Sequence, residues 1–301
     1  MPQDVATPSA QRPVDGVALA RVQQRLLRAA EPPWLHGEVA RRMADRLSVI
    51  RLQPARLLDW GSFIGASQDL LTQAYPQAKR VAIEQDLVRG AATAAQLKRP
   101  WWLPWQPAVE VLTPPQVTPG GSQLLWSNMT LQGLADPAAT MSAWHRALAV
   151  DGFLMFSTLG PGSLRQLAAL YGRAGWPAAH APFVDMHDLG DMLVAAGFAD
   201  PVMDQEIITL TWTSPQALLQ ELRSLGGNTA VGRRQGLRTP RWRDQLLALL
   251  AQTADPQGRV AMDFEVVYGH AFKPPPRARL SGRTEVPLAD MQAMVRRSKK
   301  S

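Results

Sequence analysis

The chain has 301 residues, of which 46% are hydrophobic, and it contains no cysteine. This composition suits one large globular domain or two small ones, and the missing thiols exclude disulfides, thiolate zinc sites and cysteine nucleophiles. The net charge of +7 comes mainly from residues 274–301, which hold seven of the 32 basic residues and two of the 25 acidic ones, so the body of the chain carries only +2.

Both ends of the chain are predicted to be disordered. Residues 1–16 lack the apolar run of a signal peptide, and no stretch approaches the roughly 18 apolar residues that indicate a membrane span. Residues 274–301 begin Pro-rich and end in Lys and Arg, which favours a solvated basic tail over a nucleic-acid-binding arm. We therefore expect a cytoplasmic protein without membrane contact, and nucleic acid is not an expected partner.

Between these ends, helical and strand patterns alternate. Two amphipathic helices are predicted within 17–50. Predicted strands follow at 55–60, 80–85, 107–113, 123–128 and 152–159, and predicted helices at 66–75, 86–98, 137–149, 162–174 and 187–196. Such alternation predicts one α/β domain over 17–273, with a mostly parallel sheet and helices on both faces. Two further strands, 206–212 and 264–272, flank a helical insert over 213–258.

The first strand leads into the most informative turn, LLDWGSFIGAS (57–67). Asp59 ends the strand, Gly61 and Gly65 bound the turn, and a helix follows. A glycine lets the backbone approach a ligand, and a helix N-terminus offers free N–H groups. Glu84 ends the next strand, where a carboxylate can accept both hydroxyl protons of a ribose. This pattern indicates either a nucleotide-type cofactor loop or an ordinary strand-to-helix turn.

The order Asp59-x-Gly61…Gly65, with Glu84 on the next strand, resembles class I S-adenosylmethionine-dependent methyltransferases. The segment LLWSNMTLQGLADPAATMSAWHRALAVDGFLMFSTLGPGSLRQL (124–167) resembles, more specifically, the malonyl-acyl-carrier-protein O-methyltransferases of biotin synthesis. LRSLGG-N in the insert and the last strand, EVVYGHA, are also similar to that family, and the resemblance covers about residues 20–273. It implies a single Rossmann-like domain with a seven-stranded sheet, S-adenosyl-L-methionine as cofactor, and methyl transfer to the free carboxylate of malonyl-acyl carrier protein.

The resemblance also implies roles for individual residues. Asp59, Gly61 and Gly65 would cradle the methionine part of the cofactor, and Glu84 would hold its ribose. Phe63 stands where the family's loop has its middle glycine. Its ring would either fill the methionine space, with backbone strain if the position needs a positive φ, or pack into the core beneath the loop. The alternative function is a non-catalytic relative that binds a partner or ligand through the same fold.

Three side chains are candidates for the acceptor side of the site. Arg146, before the fifth strand, would either pair with a substrate carboxylate or serve as a cation at a helix C-terminus. Asn128 and Gln132 follow the fourth strand, where they would either face a ligand or stabilise the turn. A carboxylate acceptor is ionised at neutral pH and needs no general base, which agrees with the absence of a convincing acid–base pair.

The insert carries a group of arginines that would either form a solvated basic face or dock an acidic acyl carrier protein. These are Arg233, Arg234, Arg238, Arg241 and Arg243. No metal site is expected, because the chain lacks cysteine and shows no His and carboxylate spacing suited to a metal ion.

Overall fold

The computed structural model describes residues 11–29, 31–97 and 109–276, so most of the predicted N-terminal segment and nearly all of the predicted basic tail lie outside the described residues. The strands are β1 Arg56–Trp60, β2 Lys79–Ile83, β3 Glu110–Leu112, β4 Ser122–Ser127, β5 Leu148–Leu159, β6 Ala199–Trp212 and β7 Val260–Phe272. The helices are α1 Gly16–Leu26, α2 Trp34–Asp45, α3 Ser62–Gly65, α4 Gln68–Ala74, α5 Leu87–Gln96, α6 Pro137–Ala147, α7 Arg165–Arg173, α8 Met186–Ala195, α9 Pro215–Leu225 and α10 Pro240–Ala251. Short 3-10 helices cover Arg46–Val49, Pro114–Gln116 and Leu131–Gly133.

The seven strands form one sheet in the order β3-β2-β1-β4-β5-β7-β6. The pairs from β3 to β5 are parallel, whereas β7 is antiparallel to both β5 and β6. This order differs from the Rossmann order 3-2-1-4-5-6 by the insertion of the reversed strand β7 next to β5. The predicted single α/β domain with a mostly parallel seven-stranded sheet is therefore confirmed.

The sheet carries apolar clusters on both faces. Because side chains alternate along a strand, Leu57 and Leu124 face α2, whereas Leu58 and Leu125 face the opposite way. The first cluster includes helix residues from α2, α7, α9 and α10, and the second includes residues from α6 and α8. The predicted helices on both faces are thus present. Helices of this length are marginally stable in isolation, so packing of their apolar faces against the sheet supplies most of their stability.

Three helices begin with the same local pattern, a capping side chain followed by proline. The cap accepts a hydrogen bond from a backbone N–H in the first turn, and proline fits there because its missing N–H would be unpaired anyway. The pairs are Asp136–Pro137, Ser214–Pro215 and Thr239–Pro240. The last two pairs divide the predicted helical insert into two separate helices, with residues 226–239 between them non-helical.

Residues 11–15 differ from the prediction of a disordered N-terminus. Asp15 caps α1 by accepting hydrogen bonds from the N–H groups of Val17 and Ala18. Val14 forms an isolated β-bridge with Ala230 of the insert. Arg12 is buried against the loop that follows β4. The order of this segment is due to contacts with distant residues, which its polar composition does not reveal.

Candidate active site

A deep cleft lies at the carboxyl ends of β1, β2 and β4. The chain runs from β1 outward to β2 on one side, and β4 lies on the other, so the strand order reverses at β1. Open α/β sheets bind ligands at such a switch point. The cleft has a volume of about 210 Å³. Its polar wall includes Arg12, His36, Gly61, Glu84, Arg89, Thr130, Gln132 and His180, and its apolar wall includes Leu19, Val22, Leu26, Leu159, Leu164, Leu167, Phe183, Leu222, Leu225 and Phe264.

Gly61 is the residue of the first loop for which glycine is required. Its φ is +76°, and a Cβ atom at this position would lie 2.5 Å from Thr130 Oγ1. Its N–H donates a 2.8 Å hydrogen bond to the carbonyl oxygen of Ile83, which ties the loop to the end of β2. The sequence predicted a glycine turn here, and the structure shows that close packing against the loop after β4 requires it.

Gly65 contributes through its carbonyl group. It belongs to the short helix α3, and an added Cβ would meet no atom closer than 3.6 Å. Its carbonyl oxygen accepts hydrogen bonds from Asn128 Nδ2 at 2.6 Å and from Ser67 Oγ at 2.8 Å. Gly65 thus links the first loop to the loop after β4, and it is not among the residues that line the cleft.

Asp59 lies beneath the first loop. It is 1% exposed, and its Oδ2 accepts a 2.7 Å hydrogen bond from Ser62 Oγ, while Oδ1 has no partner. Burial raises the pKa of Asp59, and the nearby Arg80 guanidinium and the Ser62 hydroxyl act in the opposite direction. Asp59 does not border the cleft, so it supports the loop from below.

Glu84 brings a carboxylate to the wall of the cleft. Its Oε1 accepts hydrogen bonds from the backbone N–H of Phe63 at 2.7 Å and from Thr93 Oγ1 at 2.9 Å. Burial raises the pKa of Glu84 to about 7, although both hydrogen bonds lower it. The Asp59 carboxylate raises the pKa further, and Arg89 lowers it. The site therefore holds this acid near the point of half-ionisation at neutral pH.

Phe63 adopts an ordinary right-handed helical backbone in α3. The possibility that position 63 needs a positive φ is wrong, because the positive φ values of this loop occur at Gly61 and Ala66. The ring is 6% exposed and borders the cleft, and it belongs to neither apolar cluster of the sheet. Phe63 is thus a buried side chain that also forms part of the wall of the cleft.

Asn128 is fully buried, and hydrogen bonds occupy both ends of its amide. Its Nδ2 donates to the carbonyl oxygens of His36 at 2.8 Å and Gly65 at 2.6 Å, and its Oδ1 accepts from Ser157 Oγ at 2.6 Å. These bonds join α2, the first loop, β4 and β5. Of the two roles left open by the sequence, the structure supports the stabilising one, because Asn128 does not line the cleft.

Gln132 does line the cleft, and it also stabilises its own loop. Its Nε2 donates to the carbonyl oxygen of Met129 at 2.7 Å, and its Oε1 accepts from Thr158 Oγ1 at 3.1 Å. Met129 has a φ of +51°, so the loop after β4 contains an unfavourable backbone conformation that these bonds help to hold.

Arg146 lies at the edge of the sheet opposite the cleft. It is exposed near the end of α6, and α6 leads into the amino end of β5. The cleft forms at the carboxyl ends of the parallel strands, and Arg146 is not among its lining residues. The expectation that Arg146 binds an acceptor is therefore corrected, and the interpretation as a cation at the end of a helix agrees with its place.

His36 and Arg12 are polar residues of the cleft that the sequence analysis missed. His36 lies on the buried face of α2, and its Nδ1 is 2.8 Å from the carbonyl oxygen of Ile64. Burial lowers the pKa of His36 to about 4, although the bond to Ile64 raises it, so the ring is neutral at pH 7. In the sequence, the only sign that His36 is buried is its place among the apolar positions of α2. The sequence gives no such sign for Arg12, because the residues next to it are polar or proline.

Helices supply a large part of the apolar wall of the cleft. Residues of α1, α7 and α9 form much of it, so the first helix of the insert borders the cleft. The basic residues of the insert lie farther along the chain and differ in exposure. Arg233 pairs with Asp15 at 2.7 Å, and the guanidinium of Arg238 stacks 4.1 Å from the ring centre of Trp242. Arg234, Arg241 and Arg243 are exposed.

No helix in the described part of the chain is long and apolar enough to cross a membrane. Among the same residues, no group of three or more His, Asp or Glu side chains is arranged to hold a metal ion.

Sequence comparisons identify close relatives of the chain. No protein-family model matches it. It is 38% identical over 275 residues to the malonyl-[acyl-carrier protein] O-methyltransferase of Gallionella capsiferriformans, covering 87% of this chain and 93% of that relative. It is also 38% identical over 257 residues to the malonyl-[acyl-carrier protein] O-methyltransferase of Laribacter hongkongensis, covering 81% and 84% of the two chains.

Solved structures share the fold at much lower sequence identity. The YcgJ protein from Bacillus subtilis superposes with a TM-score of 0.53 and 9% identity, covering 78% of this chain and 99% of that one. A candidate methyltransferase from Bacillus halodurans has a TM-score of 0.51 and 14% identity, covering 86% and 100%. These likenesses concern the fold alone.

Proposed function

Because the chain belongs to the family of malonyl-[acyl-carrier protein] O-methyltransferases, we propose that it transfers the methyl group of S-adenosylmethionine to the free carboxylate of malonyl-acyl carrier protein. The structural observation that carries this proposal is the cleft at the switch point of the sheet. Its lining combines a buried acid, Glu84, with an extensive set of apolar side chains. A nucleoside cofactor and an acyl chain need these two environments side by side.

The cofactor end of the cleft fits a nucleoside. Glu84 lines it as a buried carboxylate, and ribose hydroxyl groups are the kind of donors that would stabilise its charged form. The loop from Gly61 to Gly65 would hold the methionine part, with Asp59 supporting the loop from below. When bound, S-adenosylmethionine supplies a methyl group on a positively charged sulfur.

The chemistry asks little of the protein as an acid or base. A malonyl carboxylate is already an anion at neutral pH, so no proton has to be removed before its oxygen attacks the methyl carbon. His36 is neutral at pH 7 and its Nδ1 is engaged with the carbonyl oxygen of Ile64. The contribution of the protein is to exclude water and to place the acceptor in line with the methyl group.

The apolar wall suits the arm that carries the malonyl group. Leu222 and Leu225 of α9 border the cleft, which supports a role of the insert as a lid over the substrate. The exposed arginines of the insert, Arg234, Arg241 and Arg243, have no ion pair among the described residues and are available to an acidic carrier protein. Arg233 and Arg238 already have partners and are weaker candidates for docking.

Incubation with labelled S-adenosylmethionine and malonyl-acyl carrier protein tests the proposal. Intact-mass analysis should show that the carrier gains one methylene unit and the label, and acetyl-acyl carrier protein, which lacks the free carboxylate, should gain neither. Binding of S-adenosylhomocysteine without any transfer would favour the non-catalytic alternative. Transfer to nucleic acid or to another acceptor, with none to the malonyl carrier, would contradict the proposed substrate.

A further inference from the structure

Arg12 places a buried guanidinium on the wall of the cleft. Arg12 is 9% exposed, and it lines the cleft together with Gln132. Its Nη1 donates to the carbonyl oxygens of Gln132 at 2.6 Å and Leu134 at 3.1 Å, and its Nη2 donates to that of Pro182 at 2.8 Å. Arg12 therefore connects the N-terminal segment with the loop after β4 and the loop before α8.

All the partners of Arg12 are neutral carbonyl groups. Within the described ranges it forms no ion pair, and its Nε is buried without a hydrogen-bond partner. Three of its five N–H groups are used, so Nε–H and one hydrogen of Nη2 remain. A buried charge without a counter-charge is unfavourable, and burial accordingly lowers the pKa of Arg12. A ligand with a negative charge would supply the missing counter-charge.

The other arginine of the cleft differs from Arg12 in its surroundings. Arg89 lies on α5 beside Glu84, and its Nε is 3.5 Å from Asp86 Oδ2. Arg89 therefore has acids nearby at the end that suits the nucleoside. Arg12 contacts the loop after β4 at Gln132 and Leu134, where this fold presents groups to the reacting ligand, and it has no acid partner.

We propose that Arg12 binds the free carboxylate of the malonyl group and orients it for methyl transfer. A guanidinium matches a carboxylate in both charge and planar geometry, and it stays protonated whatever the pH of the cell. The inference rests on the proposed function. This contact would also select a malonyl group over an uncharged acyl group, because only the free carboxylate of the malonyl group neutralises Arg12. Arg12 then takes the role that the sequence suggested for Arg146.

Binding measurements separate this role from that of a structural clamp. The dissociation constants of malonyl- and acetyl-acyl carrier protein are measured in the presence of S-adenosylhomocysteine, for the unmodified protein and for Arg12→Gln. The unmodified protein should bind the malonyl form at least about tenfold more tightly, as expected for a hydrogen-bonded charge pair. Arg12→Gln should remove most of this preference. An equal weakening of both carriers, with the preference unchanged, would overturn the proposal.

Two further variants complete the experiment. Arg173→Gln, an exposed residue of α7, is the matched control and should keep the full preference. If Arg12→Gln does not fold, Arg12→Lys decides, because lysine keeps the charge but loses the planar fork. Its preference should fall several-fold, and an unchanged preference overturns the proposal. Methyl transfer by the unmodified protein is measured separately, so failure of the role of Arg12 is distinguishable from failure of the proposed function.

Discussion

The backbone N–H of Phe63 donates a 2.7 Å hydrogen bond to Glu84 Oε1, which joins the loop after β1 to the acid that follows β2. Because the donor is a backbone group in a helical conformation, the bond makes no demand on the side chain at position 63. A bulky residue can therefore replace glycine there without breaking this link. The same bond keeps Glu84 at the wall of the cleft, where the proposed cofactor binds.

Replacing Glu84 with alanine should weaken the binding of S-adenosylhomocysteine by about 1.5–3 kcal/mol, the range for hydrogen bonds to a charged group. Isothermal titration calorimetry measures the change. Glu110→Gln is the control, because Glu110 pairs with Lys79 outside the cleft. Equal affinities for the Glu84→Ala and unmodified proteins would show that Glu84 only stabilises the loop.

The raised pKa of Glu84 predicts a loss of stability as the pH increases. The folded state holds the proton up to a pKa of about 7, against 4.5 for the ordinary value, so the stabilising effect is complete below about pH 4.5 and is lost by about pH 7. The shift corresponds to about 3 kcal/mol. Urea unfolding of the ligand-free protein and of Glu84→Gln at several pH values gives the difference. A difference that does not change with pH contradicts the burial effect.

His36 predicts the opposite pH dependence. Its pKa falls from 6.5 to about 4 in the folded protein, so the contribution to stability is complete above about pH 6.5 and is lost as the pH falls towards 4. The size is again about 3 kcal/mol. The unmodified protein should therefore lose stability relative to His36→Asn on acidification. A constant difference in the free energy of unfolding between pH 7 and pH 4.5 would mean that the ring is protonated in place.

Gly61 and Gly65 should respond differently to alanine. Gly61→Ala introduces a Cβ 2.5 Å from Thr130 Oγ1 at a φ of +76°, which should cost about 1–3 kcal/mol of stability. Gly65→Ala meets no close atom in a helical conformation and should change stability by less than about 1 kcal/mol. Thermal melting of the two variants compares them directly. Similar melting temperatures would show that the first loop adapts around position 61.

Phe63→Ala tests the placement of the ring as a wall of the cleft. Because Phe63 is 6% exposed, its removal should lower the free energy of unfolding by about 3 kcal/mol, as for other buried aromatic residues. The affinity for S-adenosylhomocysteine should change by less than about tenfold, or 1.4 kcal/mol. Calorimetry and thermal melts on the same preparations measure both. A much tighter complex with little loss of stability would instead show that the ring occupies cofactor space.

Local sequence patterns predict the class of the fold and the position of Glu84 at the edge of the sheet where ligands bind. Alternating strand and helix patterns predicted the sheet, since burial on both faces requires apolar runs of that period. Position along a strand placed Glu84 at the edge where ligands bind. Glu84 follows a strand, whereas Arg146 precedes one. The same rule therefore places Arg146 at the opposite edge of the sheet.

Which side chains meet around the cleft depends on contacts between segments that are far apart in the chain. Arg12 lies 120 residues from Gln132 in the chain, and their hydrogen bond has no counterpart in local composition or periodicity. By sequence, Asn128 is likewise suited both to a ligand and to a turn, and its hydrogen bonds to His36, Gly65 and Ser157 favour the turn. Periodicity reports how a segment is buried, whereas the pairing of a polar group depends on which distant segments fold against it.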